Sequence, residues 1–95
     1  MSKRDAYVKK LKAQLDEWSA ELDKLETKAR KAKGEIKIKY EEQVASLRRQ
    51  RDEAKQKLAQ IQEVADNAWE ELKQGAEDTW AKLKKAFSKA RSQFK

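Results

Sequence analysis

The chain has 95 residues, with 24 Lys or Arg against 17 Asp or Glu, so its formal net charge is +7. It contains no proline, cysteine or histidine and only two glycines. It therefore has few of the residues that form tight turns, cannot form disulfides or zinc-thiolate sites, and lacks histidine, the commonest general base. The composition predicts a single all-α domain of long helices with no catalytic residue, cofactor or metal site.

The first part of the chain carries a heptad ladder. Apolar residues recur at steps of three and four from Val8 to Ile36, which predicts a helix that presents a narrow seam to another helix. The residues of this seam that we expect to mediate self-association are Val8, Leu11, Leu15, Trp18, Leu22 and Leu25.

The ladder slips at Gly34 and resumes one residue out of phase over residues 40–65. The basic residues before Gly34 favour a helix end there, whereas no Ser, Thr, Asp or Asn follows to cap a new helix. A lone glycine inside a helix costs only about 1 kcal/mol. We therefore predict one long helix over about residues 3–64, with a three-helix bundle broken at Gly34 as the alternative.

A clearer break is predicted at about residues 65–67, where Asn67 and Glu70 have the spacing of a capping box. Beyond it, over about residues 67–93, apolar residues recur at intervals of eleven, which aligns them on one face of an amphipathic helix. This aromatic face comprises Trp69, Leu72, Trp80, Leu83, Phe87 and Phe94. Such a face either packs in a core or, with its flanking lysines, lies on an anionic membrane surface.

The unequal lengths of the two predicted helices bear on oligomeric state. A helix over residues 3–64 is ~93 Å long and the last one about 40 Å. In a long-helix coiled-coil hairpin, the last helix covers only the half of the long helix nearest the turn, and the seam of the other half stays in water. Burial of each leucine contributes roughly 1.5–3 kcal/mol. We therefore expect a homo-oligomer, a hairpin dimer being the simplest, and a structural or interaction module as the leading function.

A basic cluster lies between residues 28 and 39, where Glu35 is the one acid. It consists of Lys28, Arg30, Lys31, Lys33, Lys37 and Lys39. Weak, salt-sensitive adhesion to nucleic acid is a further possible function, but no nucleic-acid motif or stacking platform accompanies the cluster, so specific recognition is not expected. No apolar run long enough for a signal peptide or membrane span occurs, which predicts a cytoplasmic protein.

Three stretches of the chain resemble a family of small bacterial coiled-coil proteins found in cyanobacteria and proteobacteria. They are residues 1–18 (MSKRDAYVKKLKAQLDEW), residues 37–43 (KIKYEEQ) and residues 68–80, which include AWEELK and GAE before Trp80. Members are usually described as coiled-coil domain-containing or stress-response proteins. The resemblance implies a bacterial, cytoplasmic protein whose level responds to stress, and it supplies no catalytic residues.

Overall fold

The computed structural model describes residues 2–94, which form three helices. These are α1 (Lys3–Lys31), α2 (Gly34–Glu63) and α3 (Trp69–Gln93). They run antiparallel in succession and form a rod of 52 × 19 × 19 Å, in which α1 and α3 point the same way. The predicted all-α class is confirmed.

The long helix predicted over residues 3–64 is interrupted, and the chain adopts the alternative arrangement, a three-helix bundle broken at Gly34. After α1, Ala32 and Lys33 have extended backbones. Gly34 has φ +67°, a left-handed conformation that glycine adopts without steric penalty. The lack of a capping residue after Gly34 was the reason to predict a continuous helix, and α2 does begin without a side-chain cap. Packing of α1 against α2 outweighs its absence, since tertiary burial supplies most helix stability.

The second turn also differs from its predicted form. α3 begins at Trp69 after Ala68, and no side-chain hydrogen bond caps it, so the capping box expected from Asn67 and Glu70 is not formed. A tight turn replaces it, in which the Ala68 amide donates to the Ala65 carbonyl over 2.9 Å. That turn satisfies backbone groups locally, and a side-chain cap is therefore not required.

One apolar core runs the length of the rod. Between the parallel helices α1 and α3 it is aromatic: Trp18 stacks on Phe87 with ring centroids 5.8 Å apart and an interplanar angle of 7°. Near one end Tyr7 contacts Trp69 in a tilted arrangement, with centroids 5.8 Å apart and an interplanar angle of 42°. α2 contributes smaller side chains, of which Ala54 and Ile61 are fully buried. Large rings therefore hold α1 and α3 together, while aliphatic residues, and Tyr40 against Phe94, join them to α2.

Candidate functional site

The seam predicted for self-association lies inside the bundle. Its residues from Leu11 to Leu25 are buried, and Val8 packs partly buried against the same core. Because α2 and α3 cover this face, the uncovered seam from which we predicted a homo-oligomer does not exist in the folded chain. Ile36, which ended the ladder in the sequence, is not part of the seam and is 57% exposed.

The aromatic face of α3 is the other half of the core. Its residues are buried, apart from Leu72, which is partly buried against the cluster. The rings of Trp80 and Phe87 both face Trp18 of α1, at centroid distances of 6.4 and 5.8 Å. The eleven-residue spacing therefore marks a packing face, and in the closed bundle this face is not available to a membrane.

The basic cluster is the one predicted site that lies on the surface. Its members are exposed, except Lys37, which is partly buried. They surround the α1–α2 turn, and the C-terminus of α3 reaches the same place. The ring of Tyr40 stacks on Phe94 at 4.0 Å, and Lys28 Nζ donates to the Phe94 carbonyl oxygen over 3.5 Å.

The end of α3 enlarges this cluster. Residues 84–94 contribute further basic side chains and no acid, namely Lys84, Lys85, Lys89 and Arg91. We call residues 28–39 together with residues 84–94 the basic end of the bundle. These two segments contain ten basic residues and one acid, Glu35, and two of the ten, Arg30 and Arg91, pair with Glu26 and Glu21 of the neighbouring turns. The sequence alone did not join the two segments, because they are far apart in the chain and meet only in a three-helix bundle.

The charge of the whole rod is distributed unevenly. The half that contains the α1–α2 turn, residues 17–48 and 82–94, has 13 basic and 7 acidic residues. The other half, residues 2–16 and 49–81, has 10 of each. The net positive charge of the described residues is therefore carried entirely by one half of the molecule.

Two of the seven acids of the basic half, Glu21 and Glu26, are paired with arginines. Arg91 Nε lies 2.6 Å from Glu21 Oε1, and Glu26 pairs with both Arg48 and Arg30. All five ion pairs between described residues use arginine as the cation. The lysines of the basic end, which are not neutralised in this way, therefore dominate its field.

Two isoleucines add an apolar component to this surface, which the sequence analysis missed. Ile36 and Ile38 are 57% and 59% exposed, and they are the exposed large hydrophobic residues among residues 2–94. Both belong to the first turns of α2, beside Lys33, Lys37 and Lys39. Their alternation with lysine was a visible signal in the sequence, but the continuous-helix interpretation placed Ile36 in a seam.

The opposite end of the rod is held together by Arg4 of α1. Its guanidinium donates to the Val64 carbonyl over 2.6 Å and to the Ile61 carbonyl over 3.5 Å, and it also pairs with Asp66. α2 has no basic residue in its own last turn. Arg4 therefore supplies the cation that the negative end of the α2 dipole favours.

Tyr7, near the same end, has a perturbed pKa. Burial, and secondarily the negative charge of Glu77, raise the pKa of its phenol above the ordinary value of 10.0. Its hydroxyl donates to the Lys73 carbonyl over 3.5 Å, and Lys73 Nζ lies 5.2 Å from the ring centroid. The hydrogen bond and the cation–π contact tie α1 to α3.

Within the described part of the chain, no group of three or more acidic side chains has the arrangement of a metal site. Over the same residues, no helix has the length and apolar character needed to cross a membrane. Comparisons with models of protein families, with curated proteins and with solved structures find no match to this chain. We therefore infer the function from the charge and exposed side chains of the basic end.

Proposed function

We propose that this protein is a non-enzymatic interaction module that binds a polyanionic partner through the basic end of its bundle. The observation that carries the proposal is the excess of basic side chains, 13 against 7 acidic ones, in the half of the rod that contains the α1–α2 turn, six of them within residues 28–39. A surface with net positive charge attracts anions and accelerates their association in a salt-dependent way.

Part of this charge has a structural role. Lys28, Arg30 and Lys31 occupy the last turn of α1, where cations are favourable beside the helix dipole. That explanation does not extend to Lys33 and Lys39, which lie outside any helix C-terminus. Helix stability alone therefore does not account for the size of the cluster.

Titration with inorganic polyphosphate tests the proposal, with binding measured at increasing salt. Lys31→Gln/Lys33→Gln/Lys39→Gln alters three exposed residues of the basic end. Lys9→Gln/Lys10→Gln/Lys12→Gln alters three exposed residues of the charge-balanced half and has the same net charge. We expect the first variant to bind about tenfold more weakly or worse and to lose roughly one unit of salt-dependence slope per lysine.

The control should retain most of the affinity of the parent protein. An equal loss in both variants would show that net charge, rather than the basic end, governs binding. No binding by the parent protein at low salt would refute the proposed function.

Self-association, a cytoplasmic location and a stress-related role are further proposals. Self-association requires either the polar outer faces of the bundle or an opened chain, because the seam is buried. A cytoplasmic location follows only from the sequence pattern, and a bacterial stress-related role only from the resemblance described above.

A further inference from the structure

In the first turns of α2 the usual positions of polar and apolar residues are exchanged: a lysine lies toward the core and two isoleucines lie toward solvent. Val44 and Tyr40 lie on the side of α2 that faces the core. The next position of the same heptad spacing, toward the start of the helix, is Lys37. That lysine is partly buried, whereas Ile36 and Ile38 on either side of it are more than half exposed. Charge thus occupies the position nearest the core, and apolar side chains face outward at the tip of the rod.

Packing within the chain does not account for these two isoleucines. The core of α2 begins at Tyr40 and Val44 and does not include them. A single apolar side chain on a surface is ordinary. Two of them, on opposite sides of the first turns of α2, give the tip of the most basic half of the molecule apolar as well as cationic contacts.

We propose that the partner of the basic end is an anionic phospholipid bilayer, with Ile36 and Ile38 inserted among its headgroups. This inference rests on the proposed function and names the polyanion. Lysines around inserted apolar residues contact lipid phosphates while their aliphatic stems lie along the apolar region. Lys33, Lys37 and Lys39 alternate with or flank the isoleucines and are placed to do this.

The same surface suits other partners less well. Binding of single-stranded nucleic acid depends on exposed aromatic rings for base stacking, but the ring of Tyr40 is stacked on Phe94 and the tryptophans are buried. Contact with a second copy through this end would bring two strongly positive surfaces together. Charge complementarity and the exposed isoleucines therefore favour an anionic lipid surface.

The shape of the rod sets the form of the contact. Its cross-section is 19 × 19 Å, so only the tip, with the α1–α2 turn and the end of α3, meets the bilayer when the long axis stands away from it. A contact of two inserted side chains and several lysines depends on both salt and the content of anionic lipid.

Co-sedimentation with phosphatidylcholine vesicles, with and without phosphatidylserine, tests the inference. We expect binding only to vesicles that contain phosphatidylserine. Ile36→Ser/Ile38→Ser should weaken it about tenfold or more, while Ile36→Leu/Ile38→Leu should change it less than about threefold. Both pairs alter exposed side chains outside the core, so circular dichroism should show equally folded proteins.

A fluorescent probe locates the contact. Because the chain has no cysteine, Ile38→Cys provides a single attachment point for an environment-sensitive dye, and Lys10→Cys provides one in the charge-balanced half. With phosphatidylserine vesicles, the dye at position 38 should shift to the blue and the dye at position 10 should not. Emission from the buried tryptophans should stay unchanged, because the closed bundle binds by its tip.

Different results would overturn lipid insertion and the proposed function. Equal vesicle binding by the serine and leucine variants, with polyphosphate binding intact, would overturn lipid insertion and leave the proposed function standing. The same holds if duplex DNA binds and vesicles do not. A tryptophan shift as large as that at position 38 would mean that the bundle opens, which also contradicts insertion by the intact tip. Binding to neither polyphosphate nor vesicles would remove both proposals.

Discussion

The two turns of the bundle are built in opposite ways. The α2–α3 turn is held by Arg4, which donates to the Val64 and Ile61 carbonyls and pairs with Asp66. No side-chain hydrogen bond between described residues reaches residues 32–39 of the α1–α2 turn, and there Ile36 and Ile38 face water. One turn is thus held directly by a side chain of another helix, whereas the contacts nearest the other turn, from Lys28 and Tyr40 to Phe94, lie on either side of it.

Because of this difference, we expect the end held by Arg4 to contribute mainly to stability and the basic end to contribute mainly to binding. Charges are balanced in the half held by Arg4, where Tyr7 also packs on Trp69. At the basic end, like charges repel one another, which opposes folding, and the exposed isoleucines contribute no burial free energy. Regions that bind partners are commonly drawn from the less stable part of a fold. We therefore expect substitutions of exposed side chains in the first turn to alter binding, and substitutions of the side chains that hold the second turn to alter stability.

The largest of the stability effects in this comparison is expected for Arg4→Ala. It leaves the helix-end carbonyls without their donor, which should lower the free energy of unfolding by about 2 kcal/mol, within roughly 1–3 kcal/mol for a lost charged hydrogen bond. Lys3→Ala, at an exposed position in the same helical turn, should change it by less than about 0.5 kcal/mol. Urea denaturation measures both. Similar values for the two variants would show that the guanidinium does not hold this turn.

A pair of glycine variants tests the other turn. Gly34→Ala places a side chain at φ +67° and should destabilise the protein by about 1–2 kcal/mol. Gly75→Ala lies inside α3, where an added Cβ meets nothing within 4 Å, and should stabilise by roughly 0.5–1 kcal/mol. Thermal or urea unfolding of both variants gives the comparison.

The sign of the Gly34 effect also discriminates between the two folds considered from the sequence. Stabilisation at both positions would mean that residue 34 is helical in solution, as in a continuous helix over residues 3–64. Mass measurement by light scattering would then reveal whether the opened chain pairs through the seam that begins at Val8.

The periodicity of the sequence was sufficient to predict the faces of the helices. The seam around Leu15 and Trp18, and the aromatic face around Trp80 and Phe87, are the surfaces that pack. Their partners were harder to predict, because the same apolar stripe suits a third helix of the same chain, a second chain or a membrane. That choice depends on whether the chain turns at Gly34, where local signals conflict and tertiary packing decides.

The candidate site was predictable only in part. The cluster from Lys28 to Lys39 is visible in the sequence, and the structure places it on the surface. Its extension by Lys84 and Lys89, and the exposure of Ile36, depend on the path of the chain. The role of Arg4 was not predictable at all, because nothing local relates it to carbonyls some sixty residues away.

The smallest effect is a dependence of stability on alkaline pH at the end held by Arg4. The folded protein raises the pKa of Tyr7 above 10.0, so the unfolded chain loses this proton first as pH rises. The unfolded state then binds fewer protons than the native state, and the free energy of unfolding falls. Stability from this source is complete below about pH 10 and is lost through the raised pKa.

Urea denaturation at about pH 9 and about pH 11, in parent protein and Tyr7→Phe, isolates this contribution, because the other titrating groups are common to both proteins. The parent should lose more stability than the variant, and equal losses would exclude Tyr7 as the source. Glu77→Gln refines the test by removing the second cause of the shift and leaving the first. Since burial is the larger cause, most of the difference between parent and Tyr7→Phe should persist in the Glu77→Gln background.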